Sequence, residues 1–404
     1  MSNATLQVGG GNWAAQDGKL LGYAVEPTSG RYLAREFTVN RNSSKWVLGS
    51  DGYLYEVPAD QPALEYYSDG TFRGALVEPE STNLLTYSEF DASDPTNWGV
   101  VFGTGNYSYT LDSFQGQPAL KQIQSVSGRS PIQQAVTFTA TTTYTCSVKI
   151  DVNNSSGVSD SVVIAGVYNL SGVTGDTSVT YGEIDSDGRA TFTFTTGADT
   201  SGDIRIGIGT SGGQTGTLVF GQPQLEQSPI ATSYIPTTTG AVTRLKDDIF
   251  FTNASSVIGR SEGTLFVEVD WRLASDGVID QQLLTVNDGT INNEIQIINI
   301  NGSLIRARIR AGGSIIYNTN PSSTTLSGIQ KFALAYKTDD FAFYRNGSNV
   351  DSSTSGSLAS LATLTDIDFG RNISAGDQAN MWIRDARIYN TRLTDTQCQD
   401  LTTL

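Results

Sequence analysis

Apolar residues recur at every second position in short runs, and turn-forming residues break those runs. Ala190, Phe192 and Phe194 alternate with Thr191, Thr193 and Thr195, and Ile204, Ile206 and Ile208 alternate with Arg205 and Gly207. Val136, Phe138 and Ala140 share one parity with Tyr144, Cys146, Val148 and Ile150 beyond a Thr-rich turn. Further on, Leu265, Val267, Val269 and Trp271 alternate with Phe266, Glu268 and Asp270, as Ile305, Ala307, Ile309 and Ala311 do with Arg306, Arg308 and Arg310. A repeat of two gives a strand one apolar face and asks for a second sheet to cover it. Between 86 and 236 no helical period of useful length competes. The expectation is an all-β chain of two antiparallel β-sandwiches, jelly-roll in type, preceded by an irregular N-terminal region.

The chain has 404 residues, enough for two or three separate cores, and only 16% are charged. Abundant Gly, Ser, Thr and Asn around short apolar runs suits all-β structure rather than disorder. A net charge of −16 argues against nucleic acid, which requires a clustered basic surface, and against anionic membranes. There is no histidine. The commonest general base, the commonest transition-metal ligand and every Ser-His-Asp or Cys-His arrangement are therefore missing. Cys146 and Cys398 lack metal-site spacing and fall in separate predicted domains, so no disulfide is expected between them. The opening Met1-Ser-Asn-Ala-Thr-Leu-Gln has neither a basic nor an apolar signal region. No stretch approaches the roughly 18 apolar residues that span a bilayer. No membrane insertion is expected, and an extracellular target would be reached as part of a particle or after lysis.

Three regions follow from the patterning, at 1–85, 86–240 and 241–404. The first carries Trp13, Tyr23, Tyr32, Phe37, Trp46, Tyr53 and Tyr55 among many glycines, without sustained alternation. It is expected to order on a partner. Within it, Ser50-Asp-Gly-Tyr-Leu-Tyr55 reads as a turn into a strand. In the third region Asn346-Gly347 signals a type I′ hairpin. At the end, Leu393-Thr-Asp-Thr-Gln-Cys398 reads as a helix start, with Thr394 as N-cap, Gln397 closing the capping box and Leu393 stapled onto Cys398.

Two motifs bracket the middle region. Gly74-Ala-Leu-Val-Glu-Pro-Glu-Ser-Thr-Asn-Leu-Leu-Thr-Tyr87-Ser88 precedes it, and Gln224-Leu-Glu-Gln-Ser-Pro-Ile-Ala-Thr-Ser-Tyr-Ile-Pro236 closes it. With Arg41, Ser43, Asp51, Gly52, Pro62, Glu78, Pro79, Thr82 and Asn83 in order, this arrangement resembles virion proteins of tailed bacteriophages. The family often has Ala-Thr-Tyr after its Arg-x-Ser element, where this chain has Ser44-Lys45-Trp46. The Tyr344-Arg-Asn-Gly hairpin, the Phe369-Gly strand and Ile383-Arg-Asp-Ala-Arg-Ile-Tyr-Asn390 resemble laminin-G/concanavalin-like domains. The resemblance implies a virion-attachment leader at 1–85, a carbohydrate-binding-like sandwich at 86–240 and a laminin-G/concanavalin-like sandwich at 241–404. It also implies a tail-associated adhesin or fibre-like protein whose partners are other virion proteins and host-surface glycans, as a homo-oligomer with a trimer favoured. A capsid decoration or head-fibre protein is the alternative, and a polysaccharide-cleaving enzyme a third reading.

Few residues offer chemistry. Asp185 and Asp187, after Glu183, could hold a structural calcium ion, although an Asp-Gly hairpin tip accounts for them as well. No other cofactor is expected. Asp366 and Asp368 could form a glycosidase pair, but no third acid or aromatic platform accompanies them, so no catalysis is expected. Arg306, Arg308 and Arg310 form a basic stripe, either a solvated face or a contact for acidic glycans. Tyr107 and Tyr109 share a strand face and could stack on sugar, or simply pack. Trp98 reads as core.

Overall fold

The computed structural model describes residues 4–9, 14–16, 19–25, 31–90, 97–271, 280–300, 304–319, 328–373 and 378–404. Trp13 and the first three residues of the N-terminal motif lie outside them. The protein is all-β, and among the described residues the α-helix is Asp395–Thr402.

The middle region folds as expected into two packed sheets. One contains, in order, Gly99–Val100, Ile132–Thr137, Ser201–Ile206, Val163–Tyr168 and Ser178–Thr180. The other contains Tyr107–Phe114, Gln117–Gly128, Gln214–Glu226, Thr143–Ile150, Arg189–Thr195 and Thr174–Gly175. The alternating residues named above meet between them: Cys146, Val148, Ala190, Phe192, Phe194, Ile204, Ile206 and Ile208 are all buried in one core. Trp98 joins that core and donates its indole N–H to the Tyr87 carbonyl at 3.1 Å.

The second sandwich is built from both ends of the chain. One layer runs Tyr32–Asn40, Lys19–Val25, Leu6–Gly9, Met381–Tyr389, Glu262–Trp271, Gly328–Lys337, Asp340–Arg345 and Ser348–Ser353. The other runs Tyr32–Asn40, Asp248–Phe251, Asp366–Phe369, Gln281–Asn287, Glu294–Ile300, Leu304–Ala311 and Ser314–Asn318. Strand Tyr32–Asn40 belongs to both layers. Its residues up to Phe37 pair with Lys19–Val25, and Thr38–Asn40 turn onto Asp248–Phe250.

The expectation that residues 1–85 wait for another molecule therefore needs correction. Leu6, Val8, Leu20, Ala24, Phe37 and Val39 pack in one core with Leu265, Val267, Leu334, Phe343 and Ile367. The apolar residues of this region are too few to close a core alone, yet they complete one whose sheets would otherwise end in open edges. The unit at 241–404 is thus not a separate sandwich; it shares its sheets and core with the N-terminal strands.

The middle sandwich is inserted into this larger one through a neck. Ser81–Asn83 leaves antiparallel to the returning Val242–Arg244. Both bracketing motifs lie at this neck. Glu78 accepts from the Ser233 backbone N–H and hydroxyl, each at 2.7 Å. The Asn83 amide donates to Pro223 and Ile235 carbonyls, while its oxygen accepts from Leu85 and Leu225 N–H groups. Beneath the neck Lys45 Nζ lies 2.7 Å from Asp247 and 3.0 Å from Glu78, and Arg41 lies 2.9 Å from Asp247. All four side chains are essentially inaccessible to water. Burial pulls the Lys45 ammonium below its ordinary value, while Asp247 and Glu78 oppose that shift.

The remaining local expectations hold. Asn346 and Gly347 both have positive φ, 46° and 78°, as a type I′ turn requires. The Thr394 hydroxyl accepts from Gln397 N–H at 3.2 Å and Gln397 Oε1 accepts from Thr394 N–H at 2.9 Å, closing the capping box. Cys398 packs with Leu393, Phe266 and Tyr344 beneath the helix, and Cys146 lies in the other core. Both thiols are free and buried. Burial pushes Cys398 up to about 12 and Cys146 higher still, which disfavours the thiolate form of both.

Candidate functional site

The outward face of the sheet that carries the arginine stripe is polar along two hydrogen-bonded rows. Its register places Arg310 beside Glu294, Glu294 beside Asn287 and Asn287 beside Asp366. The next row runs Arg308, Gln296, Thr285, Asp368 and Phe250. The opposite parity supplies Ile309, Ile295, Val286 and Ile367 to the core, so alternation alone fixes which face is polar. Three strand spacings separate Arg308 from Asp368, about 14 Å at 4.7–4.9 Å each. The sheet thus gathers two groups of residues that are distant in sequence, the arginines and the paired aspartates, onto one surface.

This face is not an ordinary wet one. Thr285, Glu294, Gln296, Asn287 and Asp368 are 0, 1, 2, 2 and 3% exposed. Buried polar groups need partners, and most are found locally. Gln296 donates its amide to Glu294 at 2.7 Å and accepts from Arg308 Nε at 3.0 Å. Asp368 accepts from the Asn287 amide and from Arg371 Nε, the latter at 2.9 Å. Two buried atoms on it have none: Glu294 Oε1 and Arg306 Nε. Glu294 Oε1 sits 3.3 Å from Arg310 and 3.5 Å from Arg308, within ion-pair range but accepting no hydrogen bond.

The electrostatics follow from burial. Desolvation raises the Glu294 carboxyl above its ordinary range, with Arg308 and Arg310 opposing. It raises Asp368 likewise, against Arg371 and Asn287. The stripe is accordingly no bare cationic track. Arg308 and Arg310 are engaged by Glu294, and Arg306 keeps the unpartnered nitrogen. Such a surface offers donors and acceptors in alternation, which suits a hydroxyl-rich ligand carrying at most a few acidic groups.

The other sequence candidates lie elsewhere. Tyr107 is exposed and borders a shallow hollow with Asn106, Ser108, Ile123 and Ser125 on the inserted sandwich. Tyr109 shares its strand face, ring edge-on at 6.4 Å, but packs against the core and donates its hydroxyl to the Ser130 carbonyl. It is therefore withdrawn from any ligand. Asp185 caps a hairpin by accepting from Asp187 and Arg189 N–H groups at 2.9 and 2.8 Å. Asp187 pairs with Arg73 at 2.6 Å, and Arg73 also reaches Asp270 at 2.7 Å, linking the two sandwiches. The two aspartates thus serve a turn and a domain contact, and among the described residues no group of three or more His, Cys, Asp or Glu is placed to hold a metal ion.

Sequence reasoning missed Glu294, Gln296, Asn287 and Thr285. The alternation Glu294-Ile-Gln-Ile carried the signal, with polar side chains sharing the parity later faced by Arg308 and Arg310.

No protein-family model matches the chain, and no curated protein does. Among solved structures it is similar to the CBM40 of Ruminococcus gnavus IT-sialidase bound to α2,3-sialyllactose, at 17% identity and TM-score 0.32, over 37% of this chain and 87% of that one. It is similar to domain 4 of AbnA, a GH43 extracellular arabinanase from Geobacillus stearothermophilus, in complex with arabinotriose, at 14% identity and TM-score 0.28, over 43% and 82%. The CBM22-1–CBM22-2 tandem domain of Paenibacillus barcinonensis Xyn10C gives 9% identity and TM-score 0.25, over 79% and 98%. These likenesses transfer no site residue.

Proposed function

We propose that this protein is a non-enzymatic, glycan-binding component of a tailed-bacteriophage virion, with the polar sheet face as its binding surface. One observation carries the binding reading: buried polar side chains gathered on one face by the register, with Glu294 Oε1 and Arg306 Nε lacking hydrogen-bond partners. A ligand supplying hydroxyl groups would satisfy those atoms. The virion reading rests on the bracketing motifs, and a tail-associated role in host attachment is its form here. Contacts to other virion proteins would then be made by a folded surface, where Tyr32, Tyr53 and Tyr55 are exposed. Asp366 and Asp368 serve the face as polar lining rather than as acid and nucleophile, because Arg371 and Asn287 hold the Asp368 carboxylate.

Multivalent display of the protein against an array of host-surface glycans tests the reading. Retention that Arg306→Ala weakens is expected. An array without retained glycans would contradict it.

A further inference from the structure

At the neck between the sandwiches lies a cavity of about 280 Å³, lined by Trp46, Glu56, Glu89, Tyr234, Pro236 and Arg244, with Ser44 and Thr243 among its remaining walls. It is separate from the polar sheet face. Three features set its chemistry.

Arg244 is 2% exposed. Its two terminal nitrogens donate to the Leu245 and Pro79 carbonyls, at 3.1 and 2.8 Å, yet its Nε has no hydrogen-bond partner. A buried guanidinium donor left unpaired is costly, and a ligand oxygen in the cavity would relieve it. Glu56 and Glu89 supply acceptors on the same lining. Burial, and then the charge of Glu56, raises the Glu89 carboxyl. Two carboxylates repel an anionic ligand and accept from hydroxyl groups. The third feature is the half-buried ring of Trp46, with Tyr234 and Pro236 on the same lining. Aromatic faces of this kind take the C–H surface of a sugar ring.

We propose that the neck cavity binds a single neutral, hydroxyl-rich ring such as a hexopyranose, which stacks on Trp46, accepts from Arg244 Nε and donates to Glu56 and Glu89. Its volume is near the lower end of ligand pockets, about 300–1,000 Å³, so it takes one ring rather than a chain. The cavity is independent of the glycan face and stands whether or not that face binds.

Saturation-transfer NMR and calorimetry with D-glucose, D-galactose, D-mannose and N-acetylglucosamine test this. Saturable binding of at least one sugar is expected, with Kd on the order of millimolar. Ser44→Trp and Thr243→Trp each plug the cavity from its lining, at exposed positions outside the core. Either plug that melts like the parent should weaken binding about tenfold or more. Absence of saturable binding by the parent would overturn the proposal. So would binding that survives both plugs.

Discussion

At the scale of single residues, the decisive feature is the buried ion cluster beneath the neck. Asp247 accepts from Arg41, Lys45 and the Glu78 N–H, so its loss leaves the buried Arg41 without its carboxylate and Lys45 with Glu78 alone. Removing one partner of a buried pair costs about 3–5 kcal/mol. Asp247→Ala should therefore lower unfolding free energy by about that amount in denaturant titrations. A cost below about 1 kcal/mol, the range of exposed ion pairs, would show the cluster to be solvated. Glu89 gives a prediction of opposite sense. Its folded carboxyl is raised above the ordinary glutamate value near 4.5, so it favours the folded state when protonated and loses that contribution as pH rises through the folded value. Glu89→Gln should match the parent at pH 3 and become the more stable of the two by pH 7. Melting curves at both values check the sign.

At the scale of elements, the N-terminal strands are structural members. Leu6–Gly9 pairs with Met381–Tyr389 on one side and Lys19–Val25 on the other. Deleting residues 1–40 should expose the core of the larger sandwich and yield aggregated protein, while the inserted sandwich keeps its cooperative melt. A truncated protein with both transitions intact would refute the shared core. This is where the sequence was hardest to read. Period-two alternation located Ala190–Phe194, Leu265–Trp271 and Ile305–Ala311 because each strand shows its face locally. The pairing of Leu6 with Ile388 joins residues at opposite ends of the chain, and no local pattern records it. The site was half legible for the same reason. Arg308 and Asp368 stood out by type, but their common row passes through Gln296 and Thr285, whose role depends on register.

At the scale of the whole molecule, one sandwich is carried by the other through a two-stranded neck. The motifs at residues 74–88 and 224–236 are the seams of that insertion. A protein in which residues 85–240 are replaced by a short Gly/Ser linker should fold, since the neck strands Ser81–Asn83 and Val242–Arg244 already lie side by side. Its dispersed NMR spectrum would support the insertion, and a molten spectrum would oppose it. The same molecule should retain glycan binding, because the polar face belongs wholly to the larger sandwich. The most direct test of that face takes the best glycan from the array and measures its affinity for the full chain, Gln296→Ala, Arg306→Ala and Tyr107→Ala. Each lost hydrogen bond on the face should cost about 0.5–1.5 kcal/mol, up to roughly tenfold in Kd. The account predicts weakening in Gln296→Ala and Arg306→Ala with Tyr107→Ala unchanged; loss in Tyr107→Ala alone would place binding on the inserted sandwich and contradict it.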